Sequence, residues 1–455
     1  MRVRVTTEQK DAASELALTP TLALKDMKEP VYIVDGVRTP FTKAGTVMAD
    51  VDSVEIGRTA MSLLLARTGI DPARIDEVVI GCVGQPAHSP NVARVIALRA
   101  GVPEPVPAIT VHRNCASGFE AVTQAADKIL AERGDVFLVG GVESMSQIPL
   151  LFSYETAKKF SSLSRAKSMA QRLAAMANFR PADFQPEVAL QLGLSDPVSG
   201  FNMGQTAENV SRDFGITREE QDAFALKSHH KTIAARDRLK EEMTTVYLSK
   251  SKNGKAYVDQ DNGPRENQTM EALAKLKPVF EPKTGTVTAG NSSQITDGGV
   301  VLLTMSERAL KESGLTPLGR LIGYAYAGVD PSRMGLGPVH AIHRAEKSTG
   351  LTLKDAELIE INEAFAAQVI GCQRAALSES YCRDQLKRDT VLGEIPDEIL
   401  NVNGGAIALG HPVGVTGSRL VLTALKELHR RNAERALVSL CVGGGQGGAL
   451  WLSRN

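Results

Sequence analysis

The chain has 455 residues, with 52 basic and 52 acidic side chains and a formal charge of zero. That length allows two or three domains with a large core, and the charge balance points to no nucleic-acid partner. The five cysteines are scattered, odd in number and without CxxC spacing, which excludes a disulfide framework or zinc ribbon, leaves no expected metal, and favours a reducing compartment.

In chain order, residues 1–28 open with Arg2 and Arg4 but soon carry Glu8, Asp11 and Glu15. That is too acidic for a transit peptide, so an N-terminal extension is predicted. No apolar run reaches the roughly 18 residues of a membrane span. The expected location is cytoplasmic, or mitochondrial in a eukaryote.

Short β-branched runs at 31–34, 77–80 and 136–139 read as buried strands. Between the last two lies His112-Arg113-Asn114-Cys115-Ala116-Ser117-Gly118-Phe119, followed by an amphipathic run over 120–130 that predicts a helix. Cys115 is therefore a candidate nucleophile at a helix start. Unpaired N–H groups and the helix dipole there favour the thiolate, and the small residues after it leave room for a substrate carbonyl.

Residues 147–294 break this alternation, with Asp261-Asn262-Gly263-Pro264-Arg265, Pro278 and Pro282 suggesting loops rather than sheet. Within them, 156–182 holds Lys158, Lys159, Arg165, Lys167, Arg172 and Arg180 without one acid, while Leu163, Ala166, Ala170, Leu173, Met176 and Ala177 recur at helical spacing. A basic amphipathic helix is predicted. It can pack on its own chain, dock a partner subunit or lie on an anionic membrane. The adjacent His229 and His230 are expected to be exposed, and the polar loop Gly290-Asn291-Ser292-Ser293 offers groups for a phosphopantetheine or phosphate.

Strands recur at 358–361 and 436–440, separated by a glycine-rich loop in which Gly410 and Pro412 flank His411 before another helical run. Asn362 follows the first of these strands and can cap the next helix. Cys441 ends the second and precedes Gly443, Gly444 and Gly445. These glycines formally begin a GxGxxG pattern, yet only seven residues follow Gly448, too few for a βαβ unit. The run instead lets backbone N–H groups approach a developing oxyanion.

Strand, reactive loop, helix and strand thus occur twice, once around Cys115 and once around His411. The pattern predicts a duplicated α/β unit whose loops converge on one cleft. The division expected is 1–28 as extension, 29–146 plus 295–314 as the first half, 147–294 as an inserted loop domain, and 315–455 as the second half. A histidine and two cysteines suffice for covalent acyl transfer with proton shuttling.

Asn114-Cys115-Ala116-Ser117-Gly118, Gly140-Gly141-Val142-Glu143-Ser144-Met145-Ser146, Met203-Gly204-Gln205-Thr206-Ala207-Glu208-Asn209, Thr288-Ala289-Gly290-Asn291-Ser292-Ser293, Asn362-Glu363-Ala364-Phe365-Ala366, Gly410-His411-Pro412 and Cys441-Val442-Gly443-Gly444-Gly445 together resemble the thiolase family. The resemblance runs from about residue 30 to 452 and implies two α/β halves in a five-layered αβαβα core, assembled as homodimers or homotetramers. It implies that Cys115 takes the acyl group, His411 activates it and Cys441 moves a proton at the α-carbon. It further implies one oxyanion hole from His411 and an Asn362-bound water, another from the N–H groups of Cys115 and Gly443, and coenzyme A contacts at Ser293 and Met203.

In that reading coenzyme A is a substrate, and no cofactor is permanently bound. Short-chain thiolases tend to have a histidine where this chain has Asn202, and the 151–201 insertion resembles that of β-oxidation complex thiolase subunits. Cleavage of medium or long 3-ketoacyl-CoA is therefore expected, with acetoacetyl-CoA thiolase activity as the alternative. A hydratase/dehydrogenase subunit is the expected partner for the insertion, or a membrane surface, and a pure docking or scaffold role is a weaker reading. A ketosynthase needs histidine or asparagine at Cys441.

Overall fold

The computed structural model describes residues 30–252 and 254–455, so the expected extension at 1–28 lies outside the described residues. The first half supplies β1 (Val31–Arg38), α1 (Ser53–Thr68), β2 (Glu77–Gly81), α2 (Val92–Arg99), β3 (Ala108–Val111), α3 (Ser117–Leu130) and β4 (Val136–Glu143). An insertion follows with α4 (Tyr154–Arg165), α5 (Met169–Ala177), α6 (Met203–Asp213) and α7 (Arg218–Ala234), and the chain then returns as β5 (Thr296–Ser306). The second half contains β6 (Gly319–Gly328), α8 (Gly337–Thr349), β7 (Leu358–Ile361), α9 (Ala366–Leu377), α10 (Thr416–Arg431), β8 (Arg435–Val442) and β9 (Gln446–Ser453).

The duplication is explicit in the strand pairing. One sheet runs β1-β5-β4-β2-β3 and the other β6-β9-β8-β7, extended by a parallel bridge from Ile359 to Leu400. Each uses two antiparallel pairings followed by two parallel ones. The sheets join where Val31, Tyr32 and Ile33 pair with Leu321, Arg320 and Gly319.

Because side chains alternate across a strand, each sheet feeds two cores. In β4, Phe137 and Val139 point to a central core shared with α3 and α10, whereas Val136 and Leu138 meet α1 and α2. In β8, Val438 and Leu440 join the same central core, and Leu437 packs outward with α8 and α9. Five layers result, with α3 and α10 between the sheets. Strands covered on both faces explain the unbroken apolar runs in the sequence.

The central layer sets the site. Helix α3 buries Phe119, Val122, Ala126 and Ile129 on one stripe, and truncating the fully buried Phe119 to alanine should cost about 3–5 kcal/mol. It crosses α10 at glycines: a methyl at Gly118 would meet the Ser418 nitrogen at 2.6 Å, and one at Gly417 the Phe119 nitrogen at 2.4 Å. Ser418 Oγ donates to Gly118 O at 3.0 Å across the crossing. The first turns of both helices, each just after a reactive loop, are thereby brought together.

The insertion differs from expectation in two ways. It contains a short antiparallel pairing of 150–151 with 187–188 and a hairpin of 246–252 with 255–258, as well as helices. The single basic helix expected over 156–182 is broken between α4 and α5, because Ser168 accepts the Gln171 N–H in a capping box and starts a new helix. Its apolar stripe does not pack on the body: Met169, Leu173 and Met176 are 70%, 60% and 57% exposed. Phe160 and Phe179 instead form a local aromatic contact, with centroids 4.9 Å apart.

Candidate active site

Cys115 lies in the turn between β3 and α3, one residue before the helix cap Ala116, and keeps partial exposure. The helix-start argument predicts a thiolate. The net effect is the reverse: burial raises the thiol pKa above its ordinary value, the N–H groups of Gly443 and of Cys115 itself pull it down, and Glu143 pushes it up. Desolvation outweighs the two donors, so the resting group is a thiol that needs a base.

His411 is buried, and burial together with Arg419 lowers its pKa to about 4. It is therefore a neutral imidazole at physiological pH. Its N–H is held by Gln294 O at 2.9 Å, and its Nδ1 lies 2.6 Å from Thr416 Oγ1, which also reaches Pro412 O at 3.3 Å. With the hydroxyl donating to Pro412, Nδ1 carries the ring proton and Nε2 is left as a base. Among the described residues Nε2 has no hydrogen-bond partner.

Cys441 ends β8 and is 1% exposed. Burial, then the neighbouring Cys115, push its pKa well above the ordinary thiol value, which makes it a proton donor at neutral pH. Met203, which begins α6, packs in the same apolar cluster, and a methyl at Gly443 would lie 3.2 Å from its sulfur. The Asn202 side chain before it is committed to the helix cap, accepting the Gln205 N–H at 2.9 Å.

Asn362 is fully buried at the end of β7, where its N–H donates to Ser439 O at 3.0 Å. It does not cap α9, whose cap position is Phe365. Among the described residues both polar atoms of its side chain lack a hydrogen-bond partner. A buried amide left open in this way is costly unless water or a ligand meets it.

In the polar loop, Asn291 spends its amide on Asp222 and Thr286 O and accepts the Thr288 N–H, and Ser292 donates to Thr288 O. Those two groups hold the loop and are not open to a phosphate. Ser293 is half-buried and is fixed to Ala364 O by its own N–H at 2.9 Å.

His229 corrects another expectation: it is buried, accepts the Arg265 N–H at Nδ1, and its pKa falls to about 4, mainly through burial. Its neighbour His230 is exposed. Two supporting residues escaped sequence reasoning. Thr416 orients His411, and Glu143 accepts N–H groups from Val83, Gly84 and Gly414 at 3.1, 2.7 and 2.8 Å. A threonine five residues after a loop histidine was the available signal for the first; a lone acid at the end of an apolar strand was the signal for the second.

Two protonated thiols, a neutral imidazole and an unpaired buried amide are the kinds of group that acyl transfer with proton relay employs. Comparison with known proteins agrees. The model of the thiolase N-terminal domain matches residues 31–308 and that of the thiolase C-terminal domain matches 315–454. A 3-ketoacyl-CoA thiolase of Serratia proteamaculans (strain 568) is 38% identical over 92% of this chain and 96% of its own. One of Escherichia fergusonii is 39% identical over 93% and 96%.

Among solved structures, the Bacillus anthracis acetyl-CoA acetyltransferase superposes with a TM-score of 0.81 at 36% identity, covering 93% of this chain and 98% of that one. Human mitochondrial 3-ketoacyl-CoA thiolase in complex with CoA gives 0.80 at 35%, covering 95% and 99%. With both halves matched by their family models and the reactive loops meeting at α3 and α10, the chain belongs to the thiolase family.

Proposed function

We propose that this chain is an acyltransferase that cleaves 3-ketoacyl-CoA with coenzyme A, giving acetyl-CoA and an acyl-CoA two carbons shorter, in fatty-acid β-oxidation. The observations that carry this reading are the Cys115 thiol, near enough to Cys441 to raise its pKa, and two buried groups, His411 Nε2 and the Asn362 amide, that have no hydrogen-bond partner among the described residues.

In this mechanism His411 Nε2 takes the Cys115 proton as sulfur bonds to the 3-keto carbon. The oxyanion formed on the 3-keto oxygen is held by the N–H groups of Cys115 and Gly443, while the His411 imidazolium and a water on Asn362 hold the enolate oxygen of the departing acetyl-CoA. Collapse breaks the bond between carbons 2 and 3, and Cys441 protonates carbon 2 of the departing acetyl-CoA enolate, becoming a thiolate. The Cys441 thiolate then takes the proton of incoming coenzyme A, whose sulfur attacks the Cys115 thioester; collapse releases the shortened acyl-CoA and expels the Cys115 thiolate, which recovers its proton from the His411 imidazolium. The N–H groups of Cys115 and Gly443 stabilise the thioester oxygen. Each oxyanion donor is worth about 3 kcal/mol in such reactions.

Ser293 and Met203 line the coenzyme A path in this proposal. Medium- or long-chain substrates are favoured over acetoacetyl-CoA by Asn202, where short-chain members tend to have a histidine, and by the resemblance of the 151–201 insertion to that of β-oxidation complex subunits. The same insertion is proposed to dock the enzyme, a homodimer or homotetramer, on a hydratase/dehydrogenase subunit or a membrane surface. A reducing cytoplasm, or the mitochondrion in a eukaryote, suits its unpaired thiols. Among the described residues no helix is long and apolar enough to cross a membrane.

The test is acyl-enzyme formation from radiolabelled 3-ketoacyl-CoA. Label should appear on Cys115 and vanish in Cys115→Ala, and turnover retained in that variant would sink the assignment. A rate series over chain length decides the substrate class, with a maximum at four carbons favouring the acetoacetyl-CoA alternative.

A further inference from the structure

Asn114 precedes the nucleophile with a φ of 44°, in the left-handed region that asparagine enters more readily than most side chains. Its carbonyl is fixed by Ser117, whose N–H and Oγ donate to it at 3.0 and 2.6 Å. From that anchored position the side chain reaches into the other half of the molecule. Its Nδ2 donates to the carbonyl of Gly443 at 2.8 Å.

The recipient lies in the tight turn between β8 and β9, where Val442 pairs with Gln446 and Gly445 O accepts the Val329 N–H at 2.8 Å. Gly443 opens a run of three glycines, and Gly444 and Gly445 have φ values of 88° and 82°. With no side chain to hold it, such a run needs an external anchor to keep one peptide orientation. The placement of Gly443 matters chemically, because its N–H, on the peptide just before the anchored carbonyl, favours the Cys115 thiolate.

We infer that Asn114 is a positioning residue for acyl transfer: its amide fixes Gly443 so that the Gly443 N–H faces Cys115 sulfur and then the thioester oxygen. The inference rests on Cys115 being the nucleophile, and it deepens that reading by naming what holds the donor in place. Sequence separation explains why spacing could not show it, since the partners are 329 positions apart.

Two variants separate the amide from the backbone. Asn114→Gly keeps the left-handed conformation without strain and removes only the anchor. Asn114→Asp keeps shape and size but presents an acceptor to the Gly443 carbonyl. Both should lower kcat about tenfold, the scale of one hydrogen bond in the transition state, with KM nearly unchanged. Both should also move the midpoint of Cys115 alkylation by iodoacetamide to higher pH, and rates are taken per alkylatable Cys115 so that misfolded protein is not counted.

Wild-type kcat and a wild-type alkylation profile in Asn114→Gly overturn the inference, reducing Asn114 to a residue that tolerates its backbone angle. A loss confined to KM overturns it as well. Failure of the wild-type protein to form an acyl-Cys115 from acyl-CoA is a different result, and it sinks the enzymatic reading itself.

Discussion

The carboxylate of Glu143 accepts the N–H of Gly414 at 2.8 Å, joining the end of β4 in one half to the loop that carries His411 in the other. The remaining contacts are also donors, the N–H groups of Val83 and Gly84 and the Cys82 thiol at 3.8 Å. The group is fully buried, and a methyl at Gly414 would come within 2.8 Å of it. Glu143→Gln turns an amide NH2 toward backbone donors, so one N–H is left unsatisfied at a cost of about 1–3 kcal/mol. The expected outcome is a lower Tm by calorimetry together with a reduced kcat, since the Pro412–Thr416 turn loses its tether. An unchanged Tm would show that the loop is held without it.

The low pKa of His411 gives a pH signature. An imidazole with its ordinary value near 6.5 would lose its base form below that pH. Here the neutral form persists to about 4, so the acidic limb of kcat/KM should lie well below 6.5. The folded state binds fewer protons at this site than the unfolded chain between about 4 and 6.5, so its stability contribution is present above 6.5 and is lost as pH falls toward 4. Thr416→Val leaves Nδ1 without its oxygen partner and should reduce kcat about tenfold or more. An acidic limb at 6.5 in the wild-type profile would contradict the buried, neutral imidazole.

These dependences mark the border of what the sequence made legible. Strands were readable because both sheet faces are covered, which leaves apolar runs such as 136–139, and the reactive loops were readable because glycine and proline frame them. Cys115, His411 and Cys441 could be paired through the duplication. The direction of the thiol shift could not, because it depends on desolvation by distant segments rather than on the local helix start. Asn362 was read as a cap for the same reason, since only the folded chain shows Phe365 in that position. His229 looked exposed from its polar neighbours, yet the segment around Arg265 folds over it.

The insertion offers a test of docking. Leu150, Phe152, Met169, Leu173, Met176 and Phe184 are all at least 47% exposed, while Lys158 and Lys159 pair with Glu155 and Asp183, acids just outside the basic stretch. Charge reversal at Lys167 and Arg172, both exposed, should leave acyl transfer intact and weaken association with anionic vesicles or with a partner subunit. Flotation with vesicles separates the first from the second, for which analytical ultracentrifugation is the measure. Unchanged behaviour in both assays would reject docking through this face.

Cys441 permits the two half-reactions to be separated. Its burial and its neighbour Cys115 hold the thiol protonated at neutral pH, as protonation of an enolate carbon requires, whereas attack of Cys115 on an acyl thioester needs only His411 and the oxyanion donors. In Cys441→Ala, an acyl-enzyme should still form from simple acyl-CoA, and mass spectrometry of the intact protein should show the adduct on Cys115. Exchange of deuterium at the α-carbon of acetyl-CoA should fall by about 10²–10⁴, the usual contribution of a positioned acid or base. The alanine leaves a small void in the apolar cluster with Met203, so circular dichroism must confirm the fold before rates are compared. Equal loss of acylation and exchange would show that Cys441 does not act selectively at carbon, and the proton would have to be assigned to another group.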